Sequence, residues 1–272
     1  MKKTNKKNST ARKLLPAFAM LTVSAISLSS ATYAWFSMNK DVTVNGMNVN
    51  VKSDSTFLLV KSGTADADTI QASKFITDSA VNTNATLYPA AHDDITPAST
   101  GITAIEAADS ETSTVKDIWY YRYNRDPGNS KNDMTAITYI PNDSFGQYVL
   151  VNEFSLTVAD GSNALSNLRV KSCTITPGNK PGSDPAVAGD QAVKVLVAGA
   201  NGCEEFSGTG VADRDNGTVI QTANVTSAAA STVKVYIYWD GNDDDVYTNG
   251  IEDLVGTSVQ VVFTGDIVPA GA

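Results

Sequence analysis

The chain has 272 residues, with 20 Lys and Arg, 29 Asp and Glu, one His and two Cys, and a formal net charge of −9. Its first 34 residues hold six basic residues and no acidic one, so residues 35–272 carry a net charge of −15. A segment with this negative charge is repelled by the phosphate backbone of nucleic acids, which argues against nucleic-acid binding. One His and two Cys also exclude a His₃ or Cys₄ zinc site.

The N-terminus has the three-part layout of a secretory signal peptide. A basic segment precedes the uncharged apolar segment Leu14–Leu28, and Thr32 and Ala34 then stand at the −3 and −1 positions of a cleavage site. This pattern predicts removal of residues 1–34, so that Trp35 becomes the first residue of the mature protein.

A retained membrane anchor is the alternative, because the uncharged run Leu14–Phe36 is just long enough to cross a bilayer. Its Ser and Thr residues and Pro16 favour the signal-peptide interpretation, in which contact with the membrane is transient. The basic residues stay on the cytoplasmic side in both cases, so we expect the rest of the chain to be exported.

The mature chain begins with an arm, residues 35–51, that contains a hairpin signal. Asn45-Gly46 separates two segments that alternate apolar and polar residues, the strongest short-range hairpin pattern. A two-residue turn there pairs the two segments and places Thr43 opposite Asn48. The alternative is that the arm adds a strand to the sheet edge of a neighbouring subunit. The contact residues predicted for this arm are Trp35, Phe36, Val42, Val44, Met47, Val49 and Val51.

Seven later segments are rich in β-branched and aromatic residues, and many alternate apolar and polar residues. That alternation is typical of strands with one face against a core and one face in water. We therefore expect one all-β domain, residues 35–272, built as an antiparallel two-sheet sandwich, jelly-roll-like, with long loops and a short helix within residues 64–114. The predicted strands are 56–61, 118–123, 147–158, 168–175, 192–197, 232–239 and 258–263.

The segment 232–239 shows this alternation most clearly, and each of its two sets of side chains is assigned to one face. The set expected to face the core is Val233, Val235, Ile237 and Trp239. The set expected to face water is Thr232, Lys234, Tyr236 and Tyr238.

The two cysteines, Cys173 and Cys203, fit an exported protein. An oxidising exterior would preserve a disulfide between them, so we expect that bond in the secreted form. The alternative is two independent buried thiols.

Catalytic motifs are absent from the sequence. A Ser–His–Asp triad would require His92, the only histidine, and no Gly-x-Ser-x-Gly motif accompanies it. We expect His92 to lie in a solvated loop. Carboxylate pairs for glycoside hydrolysis stay open, because spacing in sequence does not constrain them. The chain is therefore predicted not to be an enzyme and to need no cofactor.

One acidic segment, residues 240–253, resembles a calcium-binding loop because oxygen-bearing side chains recur at alternate positions. The match is incomplete, since the sixth position is Asp245 where such loops have Gly. A solvated loop after a core strand is the alternative. The candidate calcium ligands are Asp240, Asn242, Asp244, Asp245, Thr248 and Glu252.

The cleavage junction, Thr32-Tyr-Ala-Trp-Phe36, resembles that of substrates of the SipW-type signal peptidase, and Gly46-Met-Asn-Val-Asn-Val51 resembles the strand that follows in them. Together with the strands at 148–158, 193–197, 233–241 and 259–264, these features resemble the TasA/camelysin group. The resemblance implies a secreted jelly-roll protein of a Gram-positive-type bacterium that forms extracellular fibres by donating its N-terminal strand. Some camelysins are described as metalloproteases, but this chain has no zinc motif to carry that activity.

Taken together, the sequence predicts a secreted subunit of a biofilm-matrix or surface fibre. Its partners would be copies of itself, other matrix proteins and a signal peptidase of SipW type. One alternative is a monomeric extracellular binding module that depends on calcium. A second is a secreted camelysin-like protease or other hydrolase.

Overall fold

The computed structural model describes residues 47–51, 56–80, 86–93, 95–123, 134–176, 192–243, 246, 252–253 and 257–269. In chain order the strands are β1 (Met47–Val51), β2 (Leu58–Ser62), β3 (Ser79–Ala80), β4 (Thr86–Leu87), β5 (Ala91–His92), β6 (Val115–Tyr121), β7 (Thr138–Pro141), β8 (Leu150–Val158), β9 (Leu165–Thr176), β10 (Val193–Ala198), β11 (Cys203–Ser207), β12 (Gly210–Val211), β13 (Val219–Gln221), β14 (Ser231–Trp239), β15 (Glu252–Asp253) and β16 (Ser258–Ile267). The helices are α1 (Ala67–Ser73), α2 (Ile102–Ile105) and a 3₁₀ helix (Asn142–Gln147).

Two large sheets form a sandwich, as the sequence predicts. The first sheet has the strand order β12-β9-β16-β1-β3, with β13 also paired to β9, and the second has the order β11-β10-β14-β8-β2. Every strand pair in the second sheet is antiparallel. In the first sheet β1 and β16 run parallel, and the other pairs are antiparallel. The expectation of an all-β antiparallel sandwich is confirmed.

The main core lies between these two sheets, because each sheet turns one apolar set of alternating side chains inward. From β14 this set is Val233, Val235, Ile237 and Trp239, as expected from their spacing. From β16 in the first sheet it is Val259, Val261 and Phe263. All seven side chains are nearly or fully buried, which makes this core the principal source of stability.

Residues 88–93, 95–123 and 134–149, between β4 and β8, cover the outer face of the second sheet and are called here the third layer. It holds a small sheet of order β5-β6-β7, helix α2 and the 3₁₀ helix. Trp119 at its centre is fully buried, and its indole N–H donates to the carbonyl of Ile105 at 2.9 Å. A second apolar core therefore separates this layer from the second sheet.

The third layer overturns one expectation about β14. Tyr236 and Tyr238, predicted to face water, have exposed fractions of only 0% and 2%. Both rings contact Trp119, with centroid distances of 6.3 and 5.1 Å respectively. The alternation of β14 is real, but its second face packs against protein.

Two short helices occur where one was expected, within residues 64–114. Helix α1 begins where the Asp66 carboxylate accepts a hydrogen bond from the Thr69 N–H at 2.8 Å, a standard N-cap. It ends at Lys74, which has a positive φ of 53°. Helix α2 begins after Gly101, at the point where the third layer meets the turn between β10 and β11.

Gly101 is the tightest contact in that junction. The Ile102 N–H donates to the Gly199 carbonyl at 2.9 Å, and a Cβ placed on Gly101 would lie 2.1 Å from the Ala200 carbonyl oxygen. Since the Ala200 carbonyl oxygen belongs to the backbone and cannot turn aside, a side chain at Gly101 would force the two segments apart.

We predict that Gly101→Ala lowers the free energy of unfolding by about 2–3 kcal/mol, the usual cost of overpacking against backbone. Gly146→Ala is the matched control in the same layer, because nothing lies within 4 Å of a Cβ added there. It should change stability by less than about 1 kcal/mol. Equal urea midpoints for the two variants would contradict the close approach at Gly101.

Candidate assembly edge

The N-terminal strand β1 occupies an unusual place in the first sheet. It runs parallel to β16, with Asn48 opposite Gln260, Val49 opposite Val261 and Val51 opposite Phe263. Among the named strands that the structure describes, this is the one parallel pair. The first strand of the described chain therefore pairs with its last strand.

Part of the predicted hairpin is wrong. Asn48 pairs with Gln260 on one side and with Ser79 of β3 on the other. Because a strand has only two edges, no edge of Asn48 is left for the predicted pairing with Thr43. The turn at Asn45-Gly46 lies outside the described residues.

The edge of β16 borders the main core. Val261 and Phe263 are both fully buried, and their register partners across the edge are Val49 and Val51 of β1. On the far side of β1, strand β3 contributes only two pairs. A strand in the position of β1 is thus what separates this part of the core from the edge of the sheet.

Two other edges of the sandwich, at β2 and at β9, are covered by the chain itself. At β2, the outward N–H groups of Val60 and Ser62 donate to the Phe75 carbonyl at 2.8 Å and to the Asp78 carboxylate at 2.7 Å. At β9, strands β12 and β13 cover the edge. Among the described residues, Thr264–Ile267 of β16 have no strand partner on the side of β1. The edge along β16 is therefore a candidate for adding a strand from another chain.

The predicted N-terminal residues reach this edge only in part. Met47, Val49 and Val51 stand in β1. The cleavage-junction residues Thr32, Ala34 and Trp35 lie outside the described residues, as do the arm residues Phe36, Val42 and Val44.

The predicted disulfide is wrong, since Cys173 and Cys203 are both free. Cys173 lies in β9 and packs in the main core, whereas Cys203 lies in β11 and packs in the second core under the third layer. The second sheet stands between the two cores, so the thiols cannot meet. Burial raises the pKa of each thiol from 9.0 to about 12, which leaves little reactive thiolate at neutral pH.

The proposed calcium ligands are only partly described. Asp244, Asp245 and Thr248 lie outside the described residues, and of Glu252 only its place in β15 is described. Asp240 and Asn242 already serve the fold: the Asp240 carboxylate accepts from the Asn242 N–H at 2.9 Å and lies 3.6 Å from the Lys194 ammonium. This lysine, remote in sequence, is a counter-charge that sequence reasoning missed.

Sequence reasoning also missed two polar clusters beneath the third layer. In the first cluster the Glu205 carboxylate accepts hydrogen bonds from Tyr238 at 2.6 Å and Lys194 at 3.0 Å, and its Oε2 lies 2.7 Å from His92 Nε2. Burial alone would raise the pKa of Glu205, but the hydrogen bonds from His92 and Tyr238 and the charge of Lys194 lower it to about 2. Glu205 is therefore an ionised carboxylate that connects β11 to β10, to β14 and to the third layer.

The second cluster is centred on Glu106. Its carboxylate accepts from Lys234 at 2.8 and 2.9 Å and from the Tyr236 hydroxyl at 2.9 Å, while its carbonyl accepts from Lys116 at 2.7 Å. Burial, followed by the charge of Glu106, raises the pKa of Tyr236. The sequence did contain one indication of both clusters. Two large aromatic residues, Tyr236 and Tyr238, stand on the face of β14 that was expected to meet water.

His92 is not the solvated surface residue that its sequence context suggested. Its side chain is 14% exposed and its ring stands edge-on to Trp119 at 5.1 Å. His92 Nε2 faces Glu205 and Tyr238, so the ring connects strand β5 to the second sheet. In the described part of the chain, no group of three His, Cys, Asp or Glu residues is arranged to hold a metal ion.

Comparison with known proteins adds no relative. No protein-family model, curated protein or solved structure matches the chain. Within the described ranges, no helix is both long and apolar enough to cross a bilayer.

We predict that both thiols are free in the folded protein and are shielded by the fold. Mass spectrometry should show no adduct on native protein treated with an alkylating reagent. Protein that is denatured without reduction should gain two adducts, one on each cysteine. If the denatured and unreduced protein gains no adduct, the two cysteines are joined by a disulfide and the prediction is wrong.

We predict that Glu205 makes stability depend on acid pH. Because its pKa is lower in the folded chain, its stabilising effect is complete above about 4.5 and disappears as pH falls toward about 2. Glu205→Gln should lower the melting temperature at pH 7 and flatten the loss of stability between those pH values. The control, Glu111→Gln, removes an exposed carboxylate and should keep the wild-type profile. An unchanged profile in Glu205→Gln would contradict the assignment.

Proposed function

We propose that this protein is a secreted subunit of an extracellular matrix or surface fibre, joined to its neighbours by N-terminal strand addition. The observation that carries the proposal is the parallel pairing of β1 with the edge of β16. The likeness of the N-terminus to SipW-type substrates and of the chain to the TasA/camelysin group supports it.

The register at this edge explains how such an addition would be specific. Backbone hydrogen bonds to β16 would give affinity to any extended segment. The valines that stand opposite Val261 and Phe263 would give specificity, because a slip by one residue exchanges the two faces of the strand. An added strand is therefore held in one register by the buried core of the acceptor.

A strand donated by the next subunit would take the place that β1 holds in its own sheet. Six residues, 52–57, separate β1 from β2 in the chain, so an exchanged β1 would stay joined to its own subunit through them. The donor and acceptor surfaces differ, so each subunit has one of each and the contact is head-to-tail. A head-to-tail contact that does not close into a ring produces a filament.

Cleavage of the signal peptide would control this assembly. While residue 35 is joined to the signal peptide, the N-terminal arm is tethered at the membrane and cannot reach a neighbour. Removal of residues 1–34 releases the arm, so secretion and the ability to polymerise would appear in the same step.

We predict that mature protein forms filaments, and that these contain strands exchanged between chains. Asn48→Cys and Gln260→Cys are made in separate proteins, because the two positions are register partners across β1 and β16. When the two proteins are mixed, assembled and oxidised, a disulfide-linked pair should appear on a non-reducing gel. The buried native thiols do not interfere.

The control mixes Asn48→Cys with Thr103→Cys, an exposed position in the third layer, and should give no linked pair. Filaments that form without any linked pair in the first mixture would overturn strand exchange. Mature protein that stays monomeric by electron microscopy and light scattering would overturn the fibre function itself.

A further inference from the structure

Part of the outer face of the first sheet, around the middle of β9 and the start of β16, consists of uncharged side chains. On β9 and β16, Cys173, Ile175, Val259 and Val261 are at most 2% exposed and face the core. The residues between them therefore face outward. These outward residues, called here the neutral face, are Ser172, Thr174, Thr176, Ser258, Gln260 and Val262.

The register aligns these residues in rows across the strands. Thr174 stands opposite Gln260, and the same row continues to Asn48 of β1 and Ser79 of β3. The next row joins Ser172 to Val262 and then to Asn50. These two rows run across four strands and contain only residue types with hydroxyl, amide or aliphatic side chains, without an acid or a base among them.

Charged groups lie at one end of this face and are paired. The Arg169 guanidinium lies 2.7 Å from the Asp266 carboxylate, and the Lys171 ammonium lies 3.1 Å from that of Asp213. The outer face of the second sheet differs, since it carries Lys194, Lys234 and two glutamates and is covered by the third layer. On the neutral face, Thr174 and Thr176 are exposed, and the other four side chains are partly exposed.

We propose that the neutral face is where copies of this chain in neighbouring filaments stack sheet against sheet. The inference rests on the proposed filament and extends it to contacts between filaments. A body with a net charge of −15 repels its copies, so close approach is favoured where no acid is brought near another. Flat sheets stack about 10 Å apart, and Thr, Ser, Asn and Gln side chains interdigitate well at that spacing.

The size of the face indicates that it acts only between filaments. Six side chains cover much less than the roughly 800 Å² per partner of a standard interface. Two free subunits would therefore hold together weakly. Filaments repeat the same face many times along their length, and each contact after the first is effectively intramolecular. Lateral bundles should then be stable although monomers do not dimerise.

The test is Thr174→Glu, which places an acid in the centre of the neutral face, compared with Thr103→Glu, which adds the same charge on the third layer. Electron microscopy at a fixed salt concentration counts single and bundled filaments for both variants and wild type. Thr174→Glu should form filaments of normal number and length, while the bundled fraction falls to near zero. Thr103→Glu should bundle like wild type.

Salt provides a second readout, because screening weakens repulsion between acids. Bundling of Thr174→Glu should return only at a higher salt concentration than wild type requires. If Thr174→Glu filaments bundle like wild type at every salt concentration, the neutral face is not the contact. If wild-type protein forms no filaments, the proposed function fails, and the inference that rests on it fails for that separate reason.

Discussion

The second sheet is buried on both faces, and the arrangement of the rest of the chain depends on this constraint. Val235 of β14 packs into the main core, while Tyr236 packs under Trp119 of the third layer. A buried polar group without a partner costs about 1–3 kcal/mol, so the outward side chains of this sheet need matched partners. Glu106 and Glu205 supply them, and the third layer is attached by these ions as well as by its apolar contacts.

The first sheet is subject to a different constraint, because both of its edges must be covered. Its β9 side is covered by two short strands, while its β16 side is completed by β1. Because Val261 and Phe263 are fully buried beside that edge, the sandwich needs a strand there. It makes no energetic difference to the core whether the strand belongs to the same chain or to the next one. This indifference is the physical basis of the assembly by strand addition that we propose.

Local pattern was enough to locate the main strands but not their partners. The alternation of the segment from 232 to 239 correctly identified its core-facing set, yet it could not show that Tyr238 meets Glu205 and His92. Glu205 lies 33 residues and His92 lies 146 residues before Tyr238 in the chain. The predicted disulfide between Cys173 and Cys203 was wrong for the same reason. The expected cell compartment and the number of cysteines say nothing about which side of a sheet each thiol faces.

The sequence by itself determined the all-β class, the positions of the long strands and the inward set of β14, because period-two alternation is a local property of the backbone. The tertiary structure alone decided that the third layer covers the second sheet, that β1 runs parallel to β16, and that Asn48 has neighbours on both sides. These outcomes depend on contacts between residues far apart in sequence. Local alternation fixes which way a side chain points, and only the packed chain decides what it meets there.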